Sequence, residues 1–313
     1  IIIKKNLLIL GGTGMVGSSV LRRSNKSKYN VYSPNRKQLD LFILSSVKKY
    51  FKKINPDIVV MCAARVGGIY ANSTFKADFI NENLLIQNNI ITSAHDLKIK
   101  KLIFLGSSCI YPRDTKQPIK EEYLLSGKLE KTNESYAIAK IAGIKMIQAY
   151  SDQYKDNFIS LMPTNIYGIN DNFHPKNSHV VPALILKIYD AYINKKKIVS
   201  LWGSGKPLRD LLYVDDLADA ILFLAKKYNS PEIINIGSGR EVSINQLAKL
   251  ISKIIGYKGK IFFDKSYPDG TPRKILDITK IKKKGWKPKT NLKEGLRKTI
   301  QWYIYNYNNV KRN

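Results

Sequence analysis

The sequence has few cysteines, few acidic residues and no long apolar run, and each shortage excludes a class of protein. Cys62 and Cys109 are its only cysteines, too few for a disulfide framework, so we expect a reducing compartment, the cytoplasm. No apolar run reaches about eighteen residues, which argues against a membrane-spanning helix. The apolar start, Ile1–Leu10, carries its charges in the middle and favours a first β-strand over a signal peptide.

Acidic residues number 24 against 53 basic ones, which gives a formal net charge of +29. Such a charge is typical of nucleic-acid-binding proteins. The lysines are scattered, however, and no arginine-rich stripe, zinc-finger spacing or RNA-binding signature occurs. We therefore expect no nucleic-acid partner and no membrane partner, although the positive field favours an anionic nucleotide.

Short apolar runs alternate with helical patterns in the first half of the chain. Several runs are apolar at every position, as expected for strands covered on both faces of a sheet. The predicted strands are 7–10, 31–33, 58–63, 102–105 and 159–162, and the predicted helices are 15–25, 44–54, 78–96 and 134–155. This alternation predicts an α/β fold, a Rossmann-type doubly wound parallel sheet.

The pattern changes after about residue 164, where polar loops interrupt it. The predicted helices there are 180–195, 214–228, 243–255 and 291–307, and the predicted strands are 198–202, 232–236 and 260–263. We expect residues 1–164 to form a dinucleotide-binding Rossmann domain to which later strands return. Residues 165–313 are then mainly a smaller α/β substrate-binding lobe.

A glycine-rich turn follows the first predicted strand and opens a helix. Its sequence is Gly11-Gly12-Thr13-Gly14-Met15-Val16-Gly17. A pyrophosphate must approach the helix N-terminus without a Cβ in the way, which glycines at this spacing allow. Because the turn lies between a strand and a helix, it predicts a dinucleotide site rather than an ordinary turn.

The segment after the second strand bears on the choice of cofactor. Folds that prefer NAD carry an acidic residue there for the ribose 2′-hydroxyl. Here Ser33-Pro34-Asn35-Arg36-Lys37 has no acid until Asp40. Arg36 can pair with a 2′-phosphate, which favours NADP; the alternative is a solvated basic loop. Asp40 and Leu41 are placed to lie against the adenine.

Tyr136 and Lys140 form Y-x-x-x-K in a predicted helix, a spacing that puts both side chains on one face. The ammonium group can lower the phenol pKa and hold the nicotinamide ribose. Ser107 follows Leu105 and Gly106 at the end of a predicted parallel strand, where ligands bind in such sheets. Its hydroxyl can then bond a substrate carbonyl beside Tyr136.

Cys109 and His179 suit the epimerisation of a keto sugar. A 4-keto group acidifies the protons at C3 and C5, and inversion needs a base on one face and an acid on the other. Cysteine and histidine have pKa values close enough to neutrality for both roles. The alternatives are a small buried hydrophobic residue for Cys109 and a structural or capping residue for His179.

The glycine turn, the strand-end serine and Y-x-x-x-K occur in the order typical of one family. Further blocks are 66–69, 107–112, 134–143, 162–168, 171–175 and 268–274. Over nearly the whole chain the sequence resembles the extended short-chain dehydrogenase/reductase family, in its branch of nucleotide-sugar epimerase/reductases. The resemblance implies an NADPH-dependent homodimer that epimerises GDP-4-keto-6-deoxy-D-mannose at C3 and C5 and reduces C4.

The resemblance also implies residue roles. Tyr136 is the acid assisted by Ser107 and Lys140, and Cys109 and His179 are base and acid. Beyond the glycine turn, the implied cofactor contacts are Arg36, Asp40, Leu41, Leu105, Gly106, Ser107, Ser108, Lys140, Pro163, Thr164, Asn165, Ile166 and His179. The implied substrate contacts are Asn165, Lys187, Trp202, Arg209, Asp269 and Lys274. Trp202 as a core residue and Lys187 as a solvated lysine remain the alternatives.

Two residues depart from the pattern of the family. Thr13 and Lys187 stand where arginine is expected. The first removes one contact to a 2′-phosphate, and the second reduces a bidentate clamp to a point charge.

Three other functions compete. A 4-epimerase or 4,6-dehydratase uses Tyr and Lys but has no need of the Cys109 and His179 pair. A non-catalytic NADP sensor has no need of Ser107, Tyr136 and Lys140 together. A moonlighting nucleic-acid binder is tested by a salt-dependent gel shift.

Overall fold

The computed structural model describes residues 4–24, 26–175, 177–267 and 269–310. Pro268, the first residue of one block quoted above, lies outside the described residues. Within these ranges, every helix is too short or too polar to cross a membrane.

The first half of the chain is a series of strand–helix units. Its strands are β1 (Lys5–Leu10), β2 (Tyr29–Tyr32), β3 (Ile58–Met61), β4 (Lys101–Leu105) and β5 (Phe158–Pro163). Its helices are α1 (Met15–Arg23), α2 (Leu44–Ile54), α3 (Ile69–Thr74), α4 (Lys76–Asp96) and α5 (Glu134–Tyr154). β3 and β4 are buried at every residue, as the apolar runs 58–61 and 102–105 predict; Lys101, the first residue of β4, is buried as well.

The second half begins with β6 (Asn165–Tyr167) and α6 (Val180–Ile193). It continues with β7 (Ile198–Trp202), β8 (Leu208–Tyr213), α7 (Val214–Lys227), β9 (Ile234–Ile236), β10 (Glu241–Ser243) and α8 (Ile244–Ile255). It ends with β11 (Lys260–Asp264), β12 (Arg273–Lys274), α9 (Thr279–Lys283), α10 (Leu292–Tyr305) and α11 (Tyr307–Val310).

Six strands form a parallel sheet in the order β2-β1-β3-β4-β5-β9. Because β2 and β3 lie on opposite sides of β1, the strand order reverses there and leaves a crevice at the carboxyl ends. Helices cover the sheet, with α1 packed on α7 and α4 packed on α5. The predicted doubly wound α/β fold is confirmed.

Strand β8 is the central strand of the sheet in the second half of the chain. It pairs with β10 antiparallel and with β6 and β12 in parallel, while β7 and β11 form a separate parallel pair. A second hydrophobic core lies here, with Leu184, Ile185, Leu247 and Ile251 among its members. The predicted helices and strands are found within about three residues of their expected ends, but β8 and its short partners were not predicted.

Candidate active site

Four strands of the parallel sheet end at one edge, and several of the predicted site residues lie at or just beyond those ends. Gly11 follows β1, Cys62 follows β3, Gly106 follows β4, and Pro163 is the last residue of β5. Ligands of open α/β sheets bind outside the carboxyl ends of the strands. This edge is therefore the place to look for a cofactor and a substrate.

The turn after β1 is so tight that only glycine fits at several positions. Gly11 has a φ of +86°, and a Cβ there would lie 2.7 Å from the backbone nitrogen of Ala63. A Cβ on Gly17 would overlap the carbonyl oxygen of Gly11. Gly14 caps α1 without a side-chain hydrogen bond, and a Cβ on it would meet only Gly11, at 3.5 Å. The helix N-terminus thus faces open space, a cradle that fits a pyrophosphate.

Arg36, Asp40 and Leu41 lie on the segment after β2. Arg36 is exposed, in a turn closed by the side-chain oxygen of Asn35, which accepts a backbone N–H two residues on at 3.0 Å. Asp40 is exposed and accepts the N–H of Phe42 at 2.9 Å. Leu41 packs against the main core. The guanidinium group of Arg36 is therefore accessible to an anion.

Ser107, Cys109 and Tyr136 meet beyond the end of β4. The chain turns there through a short 3-10 segment, Ser108–Ile110, and the Oγ of Ser107 accepts the N–H of Cys109 at 3.2 Å. Tyr136, in the first turn of α5, is hydrogen-bonded to the side chain of Ser107. The two hydroxyl groups thus lie side by side, able to bond one carbonyl oxygen.

Lys140 lies one helical turn after Tyr136 and is buried. Its Nζ donates to the carbonyl oxygen of Leu105 at 2.8 Å, and burial lowers its pKa to about 8. The pKa of Tyr136 is raised, first by burial and then by the neighbouring Cys109. The net shift of the phenol pKa is upward, with burial as its largest cause, so the lowering expected from Lys140 does not appear. The phenol is therefore protonated at neutral pH, as a proton donor must be.

Lys274, on β12, faces both Cys109 and His179. Its Nζ donates to the Sγ of the half-buried Cys109 at 3.6 Å. His179 precedes α6 as its N-cap residue. The pKa of His179 is lowered, first by desolvation and then by the charge of Lys274. The imidazole is thus mainly neutral at pH 7.

The segment that carries His179 rests on the loop before α3. The N–H of Gly68 donates to the carbonyl oxygen of Asn177 at 2.9 Å. A Cβ on Gly68 would come within 2.6 Å of the carbonyl oxygen of Ser178. The contact fixes the backbone on which His179 approaches the cleft.

Pro163, Thr164, Asn165 and Ile166 join the sheet edge to β8. The hydroxyl of Thr164 and the amide of Asn165 each donate to the carbonyl oxygen of Asp210 at 3.1 Å. The side chain of Asn165 is therefore held at the boundary between the main sheet and the second half of the chain.

Most of the remaining predicted substrate residues lie in the second half of the chain. The Nζ of Lys187 lies 4.6 Å from the ring centre of Trp202, which is 58% exposed rather than part of the core. Arg209 donates to the carbonyl oxygen of Thr271 at 2.6 Å. Asp269 accepts from both the N–H and the hydroxyl of Ser204, at 2.8 and 2.6 Å.

Two residues of this region were missed by the sequence analysis. Tyr267 stacks on Trp202 with ring centroids 4.5 Å apart and planes 7° apart. Asp210 is fully buried and accepts from Ser238, and burial raises its pKa to about 6. Tyr267 is close to the 268–274 block, which is the one signal that could have pointed to it.

A glycine cradle, a Ser–Tyr–Lys set and a Cys–His pair at one sheet edge define a dinucleotide-dependent enzyme of carbonyl chemistry. The chain matches the NAD dependent epimerase/dehydratase family over residues 7–237. It is 50% identical to GDP-L-fucose synthase 1 of Arabidopsis thaliana, over 96% of this chain and 93% of that protein. The chain therefore belongs to the NAD-dependent epimerase/dehydratase family, and within it to the GDP-L-fucose synthases.

Solved structures give the same result for the fold. A GDP-L-fucose synthetase from Naegleria fowleri bound to NADP is 32% identical, with a TM-score of 0.90 over 98% of this chain and 97% of that one. A GDP-6-OMe-4-keto-L-xylo-heptose reductase from C. jejuni is 34% identical, with a TM-score of 0.91 over 97% and 98%.

Proposed function

We propose that the chain converts GDP-4-keto-6-deoxy-D-mannose into GDP-L-fucose, by epimerisation at C3 and C5 and NADPH-dependent reduction at C4. The observation that carries this proposal is the position of Cys109. Its thiol lies beside the Ser107–Tyr136 pair that binds a carbonyl oxygen, and Lys274 links it electrostatically to His179. A simple reductase needs no base next to that carbonyl.

The side chains divide the chemistry between them. Tyr136 and Ser107 donate hydrogen bonds to the C4 oxygen and stabilise the enolate that forms when C3 or C5 loses its proton. Cys109 takes the proton as a thiolate, and His179 is the partner that returns a proton from the opposite face. In the reduction, the protonated phenol of Tyr136 supplies the proton to the C4 oxygen.

The cofactor residues fit NADP. The cradle at Gly11, Gly14 and Gly17 takes the pyrophosphate, and Lys140 holds the nicotinamide ribose. Arg36 binds the 2′-phosphate, and residues 163–166 line the nicotinamide. When bound, NADPH supplies the hydride for C4. Asp40, Leu41, Leu105, Gly106, Ser107, Ser108 and His179 are proposed to complete the cofactor contacts.

We predict that Arg36→Ala lowers kcat/KM for NADPH by about 10- to 100-fold and leaves kcat/KM for NADH within twofold. The reason is the loss of a charge-assisted bond to the 2′-phosphate, which NADH lacks. Initial rates at 340 nm with each cofactor measure both numbers. Lys37→Ala, which removes the adjacent exposed charge, is the control and should alter neither. An equal loss for both cofactors would assign Arg36 a merely structural role.

The second half of the chain is proposed to hold the GDP-sugar, with residues 1–164 binding the cofactor. Arg209 and Lys187 supply positive charge for the diphosphate, and Trp202 offers an exposed aromatic face. Asn165 and Asp269 complete the polar contacts. Lys274 also lies on this side of the cleft, although its contact with Cys109 suggests another role.

The exposed apolar residues of two helices and the two free cysteines bear on the assembly and the compartment. The paired helices α4 and α5 expose Leu85, Ile138 and Tyr154, each 41–50% accessible. We propose that these helices pack against a second copy of the chain in a homodimer. The two free cysteines are compatible with work in the cytoplasm. Light scattering on the purified chain tests the homodimer.

The test of the function is absorbance at 340 nm with GDP-4-keto-6-deoxy-D-mannose and NADPH, followed by identification of the product. Oxidation of NADPH with formation of GDP-L-fucose supports the proposal. Turnover of a GDP-4-keto-heptose alone would favour the chemistry of the C. jejuni neighbour. No oxidation by folded protein with either substrate would contradict the proposal.

A further inference from the structure

The ammonium group of Lys274 is paired with a sulfur atom rather than a carboxylate. Within the described residues, its one hydrogen bond is to the Sγ of Cys109, at 3.6 Å, and it forms no ion pair. Lys274 is half-buried on β12, whose register with β8 places it beside Arg209. The 268–274 block thus brings a cation to a residue 165 positions earlier in the chain.

The other charged side chains around the cavity of Cys109 are in ion pairs. Arg113 and Glu130 lie 3.5 Å apart and offset each other. Arg273, next to Lys274, is bound to Glu241 at 2.8 Å. The titratable groups that face Cys109 or its cavity are Tyr136 on α5, Tyr111, Arg113, Glu130, Arg273, Lys274 and, across Lys274, His179. Burial raises the pKa of Tyr111, whose hydroxyl donates to Asn235, so this phenol carries no charge. Because Tyr136 is protonated, Lys274 is the cation without a partner anion.

We propose that Lys274 is a positioning residue that acts through Cys109, holding its side chain as a thiolate aimed at the sugar rather than binding the nucleotide. This inference rests on the proposed function and assigns a source of charge to its base. An ammonium group beside a thiol favours the ionised form, which is the form that accepts a proton.

The position of Lys274 also explains how one thiol can serve two carbons. In each epimerisation the thiolate takes the proton from C3 or C5, and the C–H electron pair moves into the enolate, whose oxygen is bonded by Tyr136 and Ser107. Before the second carbon reacts, the thiol that forms must give its proton to solvent water, and His179 must regain one from solvent. Lys274 favours that loss. The pKa of His179 is lowered first by desolvation and then by the same charge, so that any imidazolium formed is a stronger acid.

The test is peptide-resolved alkylation of the full chain by iodoacetamide between pH 5.5 and 9.5, without substrate. The thiolate forms the S–C bond and iodide leaves, so the rate reports the ionised fraction of each cysteine. In Lys274→Met the Cys109 profile should move up by about one pH unit, which is about tenfold slower alkylation at pH 7. Lys274→Arg should restore the profile, and Lys283→Met, which removes an exposed charge on α9, should not move it.

Binding and exchange data separate this proposal from nucleotide binding. Deuterium exchange at C3 and C5 should fall at least tenfold in kcat in Lys274→Met, with KM changed less than threefold. Lys274→Gln gives the same comparison if the Met variant does not fold. An unmoved Cys109 profile, or a rise in KM alone, overturns the proposal. Failure of the proposed function would give a different result. The alkylation profile of Cys109 would still depend on Lys274, but the wild-type protein would not turn over the keto sugar.

Discussion

Replacing Tyr136 by phenylalanine should lower kcat for NADPH oxidation by about 10³-fold, a size typical of a lost general acid. The phenol is the one protonated donor that bonds Ser107 and faces the carbonyl position, and its raised pKa keeps it protonated at neutral pH. Phenylalanine fills the same space, so packing against Phe79, whose ring centre is 6.4 Å away, should persist. Initial rates at 340 nm measure the loss.

The matched control for this variant is Tyr154→Phe, at the far end of the same helix. Tyr154 is half exposed and packs near His95, away from the strand ends. It should keep NADPH oxidation within twofold. Deuterium exchange at C3 and C5 should fall less than reduction does in Tyr136→Phe, because Ser107 still stabilises the enolate. A Tyr136→Phe variant that reduces the sugar at the normal rate would remove Tyr136 from the mechanism.

Replacing Cys109 by serine should suppress deuterium exchange at C3 and C5 by 10²-fold or more. A serine hydroxyl stays protonated near neutral pH and cannot take a proton from carbon as a thiolate does. The exchange is followed by NMR with GDP-4-keto-6-deoxy-D-mannose in deuterated water. NADPH affinity should be unchanged, because Cys109 is not among the proposed cofactor contacts.

The second cysteine supplies the control. Desolvation of the half-buried Cys62 thiol raises its pKa to about 12, so it is not a base at neutral pH. Cys62→Ser should keep exchange within twofold of the unmodified chain. Normal wash-in of deuterium in Cys109→Ser would rule out Cys109 as the base and leave His179 as the candidate.

The first half of the fold could be predicted because its signals are local. Strand β4 is apolar at almost every position, and the glycine turn connects β1 to α1 within a few residues. Strand β8 was missed because its sequence, Leu-Arg-Asp-Leu-Leu-Tyr, places a buried aspartate among its residues. Its partners β6, β10 and β12 have three residues or fewer, so they carry no periodic pattern and form only through contacts with distant segments.

The candidate site could likewise be predicted only where the sequence signals are local. Ser107 and Tyr136 could be placed together because a strand end and a helix face define their positions. The pairing of Lys274 with Cys109 and the stacking of Tyr267 on Trp202 could not be predicted, since each depends on side-chain conformations at large sequence separation. The raised pKa of Tyr136 was missed for another reason. Burial is the largest cause of the shift, and burial cannot be obtained from the spacing of two residues.

The most direct test of one site that inverts two carbons and reduces a third is to run the whole reaction in deuterated water with unlabelled NADPH. The account predicts GDP-L-fucose with carbon-bound deuterium at C3 and C5 and protium at C4, located by NMR. The amount of this doubly labelled product should fall in Cys109→Ser in proportion to the loss of activity. A product with deuterium at only one carbon, or a reduced sugar that was never epimerised, would contradict the account.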